Sequence, residues 1–169
     1  MIRMLVMSCA AFALVACAKP EVSRGPAVPA ALFPGETPEM RRLVRRHAEK
    51  HDIPEALLHR VIQRESNYRP YARNGPYWGL MQILPQTARQ MGFQGTPEEL
   101  LDADTNLRYA GRYLRGAWLV SNGDIDAAVM WYARGYYFEA RNRCMLVATG
   151  LRDREVRRDC PETRPARRT

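Results

Sequence analysis

Residues 52–65 read DIPEALLHRVIQRE, and this stretch decides what kind of fold the chain can form. Its apolar side chains, from Leu57 to Ile62, recur at intervals of three and four residues, the spacing that places them on one face of an α-helix. Asp52, followed three residues later by Glu55, predicts a capping box at the start of that helix. The stretch therefore predicts an amphipathic helix with one side packed into a core.

Glu65 ends this stretch on the same side as the apolar residues. It lies three residues beyond Ile62 and so shares the face of the helix that packs inward. Burial and the negative end of the helix dipole both disfavour the charged carboxylate, so we predict a raised pKa for Glu65. A carboxyl that keeps its proton near neutral pH suits a glycosidase acid. The alternative is an acid that only ends the helix and pairs with Arg69 or Arg73.

Start signals for further helices recur along the chain. They are threonine or aspartate caps, or a proline at the first helical position, where its missing N–H would have no helical partner anyway. The predicted helices begin at Thr37, Asp52, Pro85, Thr96, Asp104 and Asp124. Alternation typical of strands is absent outside residues 77–83, so we predict a single all-α domain over residues 37–150.

The first residues of the chain predict export. Residues 1–16 combine Arg3 with an apolar run that is too short to span about 30 Å of hydrocarbon but suits a signal peptide. The run ends in LVAC at residues 14–17, which resembles a bacterial lipobox and makes Cys17 the expected lipidation site. Just after the expected anchor, Lys19 stands in place of an aspartate, which resembles the pattern that sorts lipoproteins to the outer membrane. The protein is then expected to face the periplasm from that membrane. The alternative is an ordinary secretory signal with an incidental cysteine.

The segments on either side of the predicted domain differ in composition. Proline and glycine recur in residues 17–36, which indicates a disordered, lipid-anchored linker. Residues 151–169 form a basic tail, which is either a solvated disordered segment or a binding arm. The net charge is +8, but export argues against nucleic acid and favours anionic wall polymers and lipid headgroups as partners.

Two cysteines remain in the predicted domain and tail, Cys144 and Cys160. In an oxidising compartment they could form a disulfide, and the alternative is two free thiols. The histidines have no partnering cysteine or acidic cluster in the sequence. His47 and His51, four residues apart, are more typical of a solvated helix face than of a metal site, so we expect no metal.

Two blocks of sequence together resemble a known family. They are ESNYRP at residues 65–70 and GLMQILP at residues 79–85. Both are similar to the soluble lytic transglycosylase (SLT) domain, which is related in fold to goose-type lysozyme. The resemblance extends over about residues 37–137, with further matches at Asn106 and Tyr132. It implies a lysozyme-like helical fold with Glu65 at the base of a sugar-binding groove.

The resemblance also implies roles for individual residues. Glu65 is the catalytic acid and afterwards the base, and Ser66 helps to fix or to contact the site. Met81 and Gln82 line the groove beside it. Tyr132 approaches the carboxyl from a later helix, where its hydroxyl could orient the glutamate or the sugar.

The sequence departs from the family after the late tyrosine. The family usually has asparagine at the next position and a glycine-proline turn beyond it, whereas residues 132–137 read YARGYY. The end of the groove is therefore expected to differ. Tyr77, Trp131, Tyr136 and Tyr137 could supply faces for sugar stacking, although aromatic residues at helical spacing are more often part of a core.

The activity implied by the resemblance is cleavage of peptidoglycan glycan strands. The bond between N-acetylmuramic acid and N-acetylglucosamine breaks, and the sugar's own 6-hydroxyl closes a 1,6-anhydro end without metal or cofactor. A hydrolytic muramidase of the same fold is one alternative. A non-catalytic peptidoglycan-binding lipoprotein is the other. The oligomeric state is left open.

Overall fold

The structure is a computed structural model that describes residues 31–161. The predicted signal peptide, Cys17 and the linker up to residue 30 lie outside the described residues, as does the tail from residue 162 onward. No helix within the described range is both long and apolar enough to cross a membrane.

Six α-helices dominate the described residues, which confirms the predicted all-α class. They are α1 (Pro38–His51), α2 (Glu55–Glu65), α3 (Pro85–Gln90), α4 (Ala103–Val120), α5 (Ile125–Arg134) and α6 (Tyr137–Asn142). A 3₁₀-helix, Pro97–Leu101, precedes α4. The strands β1 (Arg73–Asn74) and β2 (Tyr77–Trp78) form a small antiparallel hairpin between α2 and α3.

Helix α4 lies at the centre of the domain. Helices α1 and α5 pack against it, and α2 packs against both α1 and α5. The core between them consists of aliphatic side chains with no exposed surface: Val44, Leu57, Leu58, Val61, Ile62, Leu107 and Leu114. Each such side chain contributes about 1.5–3 kcal/mol by leaving water. The apolar face predicted for residues 52–65 is therefore the face that α2 buries.

Hydrogen bonds confirm two of the predicted helix starts. The Thr37 hydroxyl accepts a hydrogen bond from the N–H of Met40 at 3.1 Å. The Asp124 carboxylate accepts one from the N–H of Ala127 at 2.8 Å. Helices α1 and α5 thus begin where their caps predict.

The predicted cap of the second helix is wrong. Asp52 ends α1 in the left-handed region (φ 50°), where its N–H donates to the carbonyl oxygens of Ala48 and Glu49. Helix α2 begins only at Glu55, whose carboxylate lies 3.2 Å from Nε2 of His59. Because Asp52 closes the preceding helix, it cannot open the next one.

The predicted start of the long helix is displaced by two residues. The Asp102 carboxylate caps α4 by accepting a hydrogen bond from the N–H of Thr105 at 2.8 Å. Asp104 lies in the first turn, with its Oδ1 atom 3.0 Å from Nε2 of His47. Nε2 of His51 lies 3.1 Å from the carbonyl oxygen of Leu107. The two histidines therefore join α1 to α4 and do not form a solvated face.

The N-terminal boundary of the folded domain lies before Thr37. Glu36, which composition assigns to the linker, is buried. Its carboxylate accepts a hydrogen bond from Nε of Arg41 at 2.6 Å. The last residues of the predicted linker are thus part of the domain.

The C-terminal tail also folds onto the domain over residues 151–161. The carboxylate of Glu155 accepts a hydrogen bond from the N–H of Val147 at 2.9 Å. Cys144 and Cys160 form a disulfide, which closes the segment between them. The described part of the tail is therefore neither free nor extended.

Replacing both Cys144 and Cys160 by serine should lower the free energy of unfolding. The bond joins residues 16 positions apart, and closing a loop of about that size is worth about 3 kcal/mol in the chain-entropy estimate. Urea unfolding followed by circular dichroism measures the loss. Reducing the wild-type protein should produce the same loss and leave the double variant unchanged. Alkylation of both thiols in unreduced, denatured wild-type protein would contradict the pairing.

Candidate active site

Glu65 is the last residue of α2 and faces a pocket of about 330 Å³. Its side chain is 21% exposed, so the carboxyl is largely buried yet reachable. The other residues that line this pocket come from α2, the β-hairpin, the loop after it and α5: Arg64, Asn74, Tyr77, Gln82, Tyr132 and Ala133. A group bound in the pocket would therefore contact the carboxyl directly.

Burial raises the pKa of Glu65, in the predicted direction. The charge of Arg64, whose Nε lies 3.6 Å from the carboxylate, opposes the shift and does not cancel it. The two arginines proposed as structural partners are occupied elsewhere. Arg69 donates to the carbonyl oxygen of Ser66, and the Arg73 guanidinium lies 3.6 Å from the centre of the Trp78 ring. The pairing alternative for Glu65 is therefore wrong.

The loop of residues 78–83 forms the wall of the pocket beside Glu65. Trp78 and Ile83 exchange two backbone hydrogen bonds of 3.1 Å, which close the loop at its base. Gln82 adopts a left-handed conformation (φ 48°). Its side-chain amide donates to the carbonyl oxygens of Ala72 and Gly79. The loop is thus held by its own backbone and by the hairpin next to it.

Asn106 of α4 holds this loop from below. Its side chain has no exposed surface. Its Nδ2 donates to the carbonyl oxygens of Trp78 and Leu100 at 3.0 and 2.8 Å, and its Oδ1 accepts from the N–H of Met81 at 2.9 Å. One buried amide therefore pairs three backbone groups that would otherwise lack partners.

Gly79 is required where the loop crosses Asn106. Its φ is +73°, a backbone conformation that residues with a side chain rarely adopt. A Cβ atom there would lie 2.1 Å from the carbonyl oxygen of Leu100 and 2.3 Å from Nδ2 of Asn106. No other residue lets the loop approach α4 this closely.

A second pocket adjoins the first and shares four lining residues with it. The shared residues are Tyr77, Gln82, Tyr132 and Ala133. The second pocket continues past them along α3 and the end of α5, where Thr87 and Arg134 line it. We call the two pockets together the groove. Within the part of the chain that the structure describes, Glu65 is the one carboxylate that lines it.

The family model described as "Transglycosylase SLT domain" matches residues 42–143, more than half of the chain. The chain belongs to this family. The match includes Glu65, the loop of residues 78–83 and Asn106, and so covers the helical scaffold of the groove.

Two relatives carry the name membrane-bound lytic murein transglycosylase C. The protein from Haemophilus influenzae (strain PittEE) is 32% identical over 92 residues, covering 50% of this chain and 25% of the relative. The protein from Yersinia enterocolitica is 36% identical over 80 residues, covering 43% of this chain and 22% of the relative. The chain thus matches about a quarter of the length of these relatives. No solved structure matches it.

Two residues predicted to contact a ligand lie beneath the surface of this SLT domain. Ser66 is 2% exposed, and its hydroxyl donates to the carbonyl oxygen of Leu80 at 2.7 Å. The Met81 side chain has no exposed surface. Neither lines the groove: Ser66, at the end of α2, turns its hydroxyl toward the loop, and the loop turns the Met81 side chain into the core. The Ser66 hydroxyl thus ties the end of α2 to the loop, and the Met81 side chain fills the core.

Gln82 and Tyr132 both line the groove. The hydroxyl of Tyr132 donates to the carbonyl oxygen of Met81 at 2.8 Å, so it orients the loop rather than the glutamate. Burial raises the pKa of Tyr132 far above its ordinary value, and the charge of Glu65 raises it further. Tyr132 is therefore a neutral neighbour of the carboxyl.

Sequence reasoning only partly identified the remaining residues of the groove. Tyr77 is 43% exposed and lines both pockets, so it is a candidate stacking face, whereas Tyr136 is 1% exposed and belongs to the core. Asn74 was missed because only the pairing of β1 with β2 brings it to Glu65. Ala133, at a position of departure from the family, is exposed beside the carboxyl.

Replacing Asn106 by alanine should destabilise the SLT domain. The three backbone groups that it pairs would be left buried without partners, which should lower the free energy of unfolding by at least about 2 kcal/mol. Hydrogen exchange of the Met81 amide should accelerate as well. Urea unfolding and exchange followed by mass spectrometry measure the two effects. Gln90→Ala is the matched control, because it removes an amide that is exposed. Its free energy of unfolding should change by no more than about 0.5 kcal/mol.

Replacing Glu65 by glutamine should stabilise the folded protein at neutral pH. A carboxyl with a raised pKa holds its proton more tightly when folded, so its contribution to stability falls as the pH rises through the folded pKa. The variant removes this loss, with about 1.4 kcal/mol gained for each unit by which the pKa is raised. Below the ordinary glutamate pKa the two proteins should be equally stable. Urea unfolding at both pH values measures the difference, and a variant less stable at neutral pH would contradict it.

Proposed function

We propose that this SLT domain is a peptidoglycan lytic transglycosylase. It cleaves the bond between N-acetylmuramic acid and N-acetylglucosamine and leaves 1,6-anhydro ends. The observation that carries the proposal is that a single carboxyl, with a raised pKa, lines the groove among the described residues. The names of the relatives, lytic murein transglycosylases, support the same substrate class.

In the first step Glu65 acts as the acid. Its proton passes to the oxygen that links the two sugars, and the bond from that oxygen to C1 of the muramic acid breaks. The raised pKa suits this step, because the carboxyl must hold a proton at the working pH. The acetamido group of the sugar steadies the positive charge that develops at C1.

In the second step Glu65 acts as the base. It takes the proton of the 6-hydroxyl of the same sugar, and the hydroxyl oxygen bonds to C1 to close the 1,6-anhydro ring. No water is consumed, and the carboxyl regains its proton. The nucleophile belongs to the substrate, so it attacks with a high effective concentration.

The number of carboxylates in the groove favours this reaction over hydrolysis. Glycosidases that use water generally place a second carboxylate about 5–9.5 Å from the acid. Within the described residues, the groove offers Glu65 and no second carboxylate. A non-catalytic binding protein would have no need for a largely buried carboxyl with a raised pKa.

We further propose that the domain works in the cell envelope on a lipid anchor. The LVAC stretch at residues 14–17 makes Cys17 the modified residue, after removal of residues 1–16. The relatives are named membrane-bound, which supports attachment to a membrane. Lys19 supports an anchor in the outer membrane, with the protein facing the periplasm. The partner of the groove is then the peptidoglycan strand beside that membrane.

Glu65→Gln should abolish glycan cleavage while the protein still binds. The substitution keeps size and hydrogen bonding but removes the transferable proton, so turnover should fall by at least about 10² to 10⁴ fold. Purified protein is incubated with sacculi, and the fragments are analysed by mass spectrometry. Cosedimentation with sacculi measures binding. Glu98→Gln is the matched control: its carboxyl is exposed and does not line the groove, so the variant should retain full activity.

The fragments decide between the candidate reactions. Anhydro ends support the transglycosylase, and reducing ends would assign the hydrolytic alternative. Binding without any cleavage by the wild-type protein would assign the non-catalytic alternative. Undiminished cleavage by Glu65→Gln would exclude Glu65 as the acid.

A further inference from the structure

The chain makes an unusual turn immediately after Glu65. Asn67 and Tyr68 both adopt left-handed conformations, with φ values of 50° and 62°. Two consecutive residues with side chains rarely do so, because Cβ crowds the backbone there. Such backbone strain persists only where the surrounding structure holds it in place. Something outside the turn must therefore support it.

Part of that support comes from residues 33–36, which we call the clasp. The Phe33 ring stacks on the Tyr68 ring, with 6.1 Å between their centres and 12° between their planes. Gly35 lies against the turn so closely that a Cβ atom there would be 2.8 Å from the carbonyl oxygen of Asn67. The clasp thus contacts both strained residues.

Glu36 fixes the clasp to the domain. Its side chain has no exposed surface. The carboxylate accepts hydrogen bonds from the N–H of Phe33 at 2.9 Å and from Nε of Arg41 at 2.6 Å. Its Oε1 atom also lies 3.6 Å from Nδ1 of His59. One buried carboxylate therefore connects the clasp to α1 and to α2.

His59 closes the connection between the clasp and the turn. Its Nδ1 lies 2.7 Å from the hydroxyl oxygen of Tyr68, and its ring centre lies 5.0 Å from that of Phe33. His59 belongs to α2, the helix that Glu65 ends. The turn, the clasp and the catalytic helix thus form one contact network around a single histidine.

We propose that the clasp, residues 33–36, positions Glu65 for proton transfer by holding the turn at Asn67 and Tyr68. This inference rests on the proposed function of Glu65. The N–H of Asn67 donates to the carbonyl oxygens of Ile62 and Gln63, so the turn also completes the last turn of α2. Release of the clasp lets the turn relax, and the end of α2 with Glu65 then loosens toward solvent. The core between α1, α4 and α5 is unaffected.

The test uses three variants of the full chain: Phe33→Ala, Gly35→Ala and Glu36→Gln. Phe33→Ala removes the stacked ring, and Gly35→Ala pushes the clasp away from Asn67. Glu36→Gln weakens the tie to Arg41. The matched control is Glu39→Gln, an exposed carboxyl in the first turn of α1 that pairs with Arg42 on the surface and does not contact the clasp's buried carboxylate.

Turnover of soluble glycan strands measures positioning. For the clasp variants we expect kcat to fall about ten- to a hundredfold, the loss typical of a slightly misplaced catalytic group, with KM nearly unchanged. Glu39→Gln should have the same kcat and the same KM as the wild-type protein. Circular dichroism establishes that each variant is folded.

The titration of Glu65 provides a readout independent of turnover. The titratable groups that line the pocket with its carboxyl are Arg64 on its own helix, Tyr77 on β2 and Tyr132 on α5, and none of them is altered in the variants. Greater exposure should lower the pKa of Glu65 toward its ordinary value, so the loss of activity at alkaline pH should begin at a lower pH. Carboxyl NMR measures the same pKa without substrate.

These two measurements keep the two hypotheses apart. If Phe33→Ala and Gly35→Ala leave both kcat and the pKa of Glu65 at wild-type values, the clasp has no positioning role and the inference is wrong. If the wild-type protein cleaves no glycan, the proposed function fails. In that case the NMR titration still decides whether the clasp controls the environment of Glu65.

Discussion

The buried amide of Asn106 is the interaction on which the groove depends. A loop that passes over a helical core carries backbone N–H and C=O groups away from water, and each needs a partner. Asn106 supplies partners to Trp78, Met81 and Leu100 from a single side chain. An aliphatic residue there would leave these buried backbone groups without partners. The shape of the groove is therefore set from within α4.

Two more side chains attach the same loop to the helices around it. The hydroxyl of Ser66 donates to the carbonyl oxygen of Leu80, and that of Tyr132 donates to the carbonyl oxygen of Met81. The residue that caps the end of α2 and one residue each of α4 and α5 thus hold the loop by polar side chains. Gln82 of the loop lines the pocket of Glu65, and burial there is the physical cause of the raised pKa of that carboxyl. The packing around the groove therefore affects the pKa of Glu65 through the burial of its carboxyl.

The two ends of the domain show why composition alone misplaces a boundary. Proline and glycine made residues 17–36 a linker, but Gly35 allows a close backbone approach to Asn67 and Glu36 is buried in an ion pair with Arg41. Residues 151–161 of the basic tail are held in a similar way, because Glu155 and the Cys144–Cys160 disulfide fasten them to the domain. Such contacts depend on partners far along the chain, and local composition does not report them.

The sequence by itself determined the all-α class, most of the helices and the placement of Glu65 on the buried face of α2, because helical periodicity and caps are local properties. Only the tertiary structure decided which residues near Glu65 reach the groove. Met81 turns into the core, whereas Tyr77 and Asn74 come to the carboxyl through the pairing of two short strands. Periodicity identifies which face of a helix or strand is apolar, but not which other element packs against that face. The groove lies between packed elements, so its lining residues become known only from the tertiary structure.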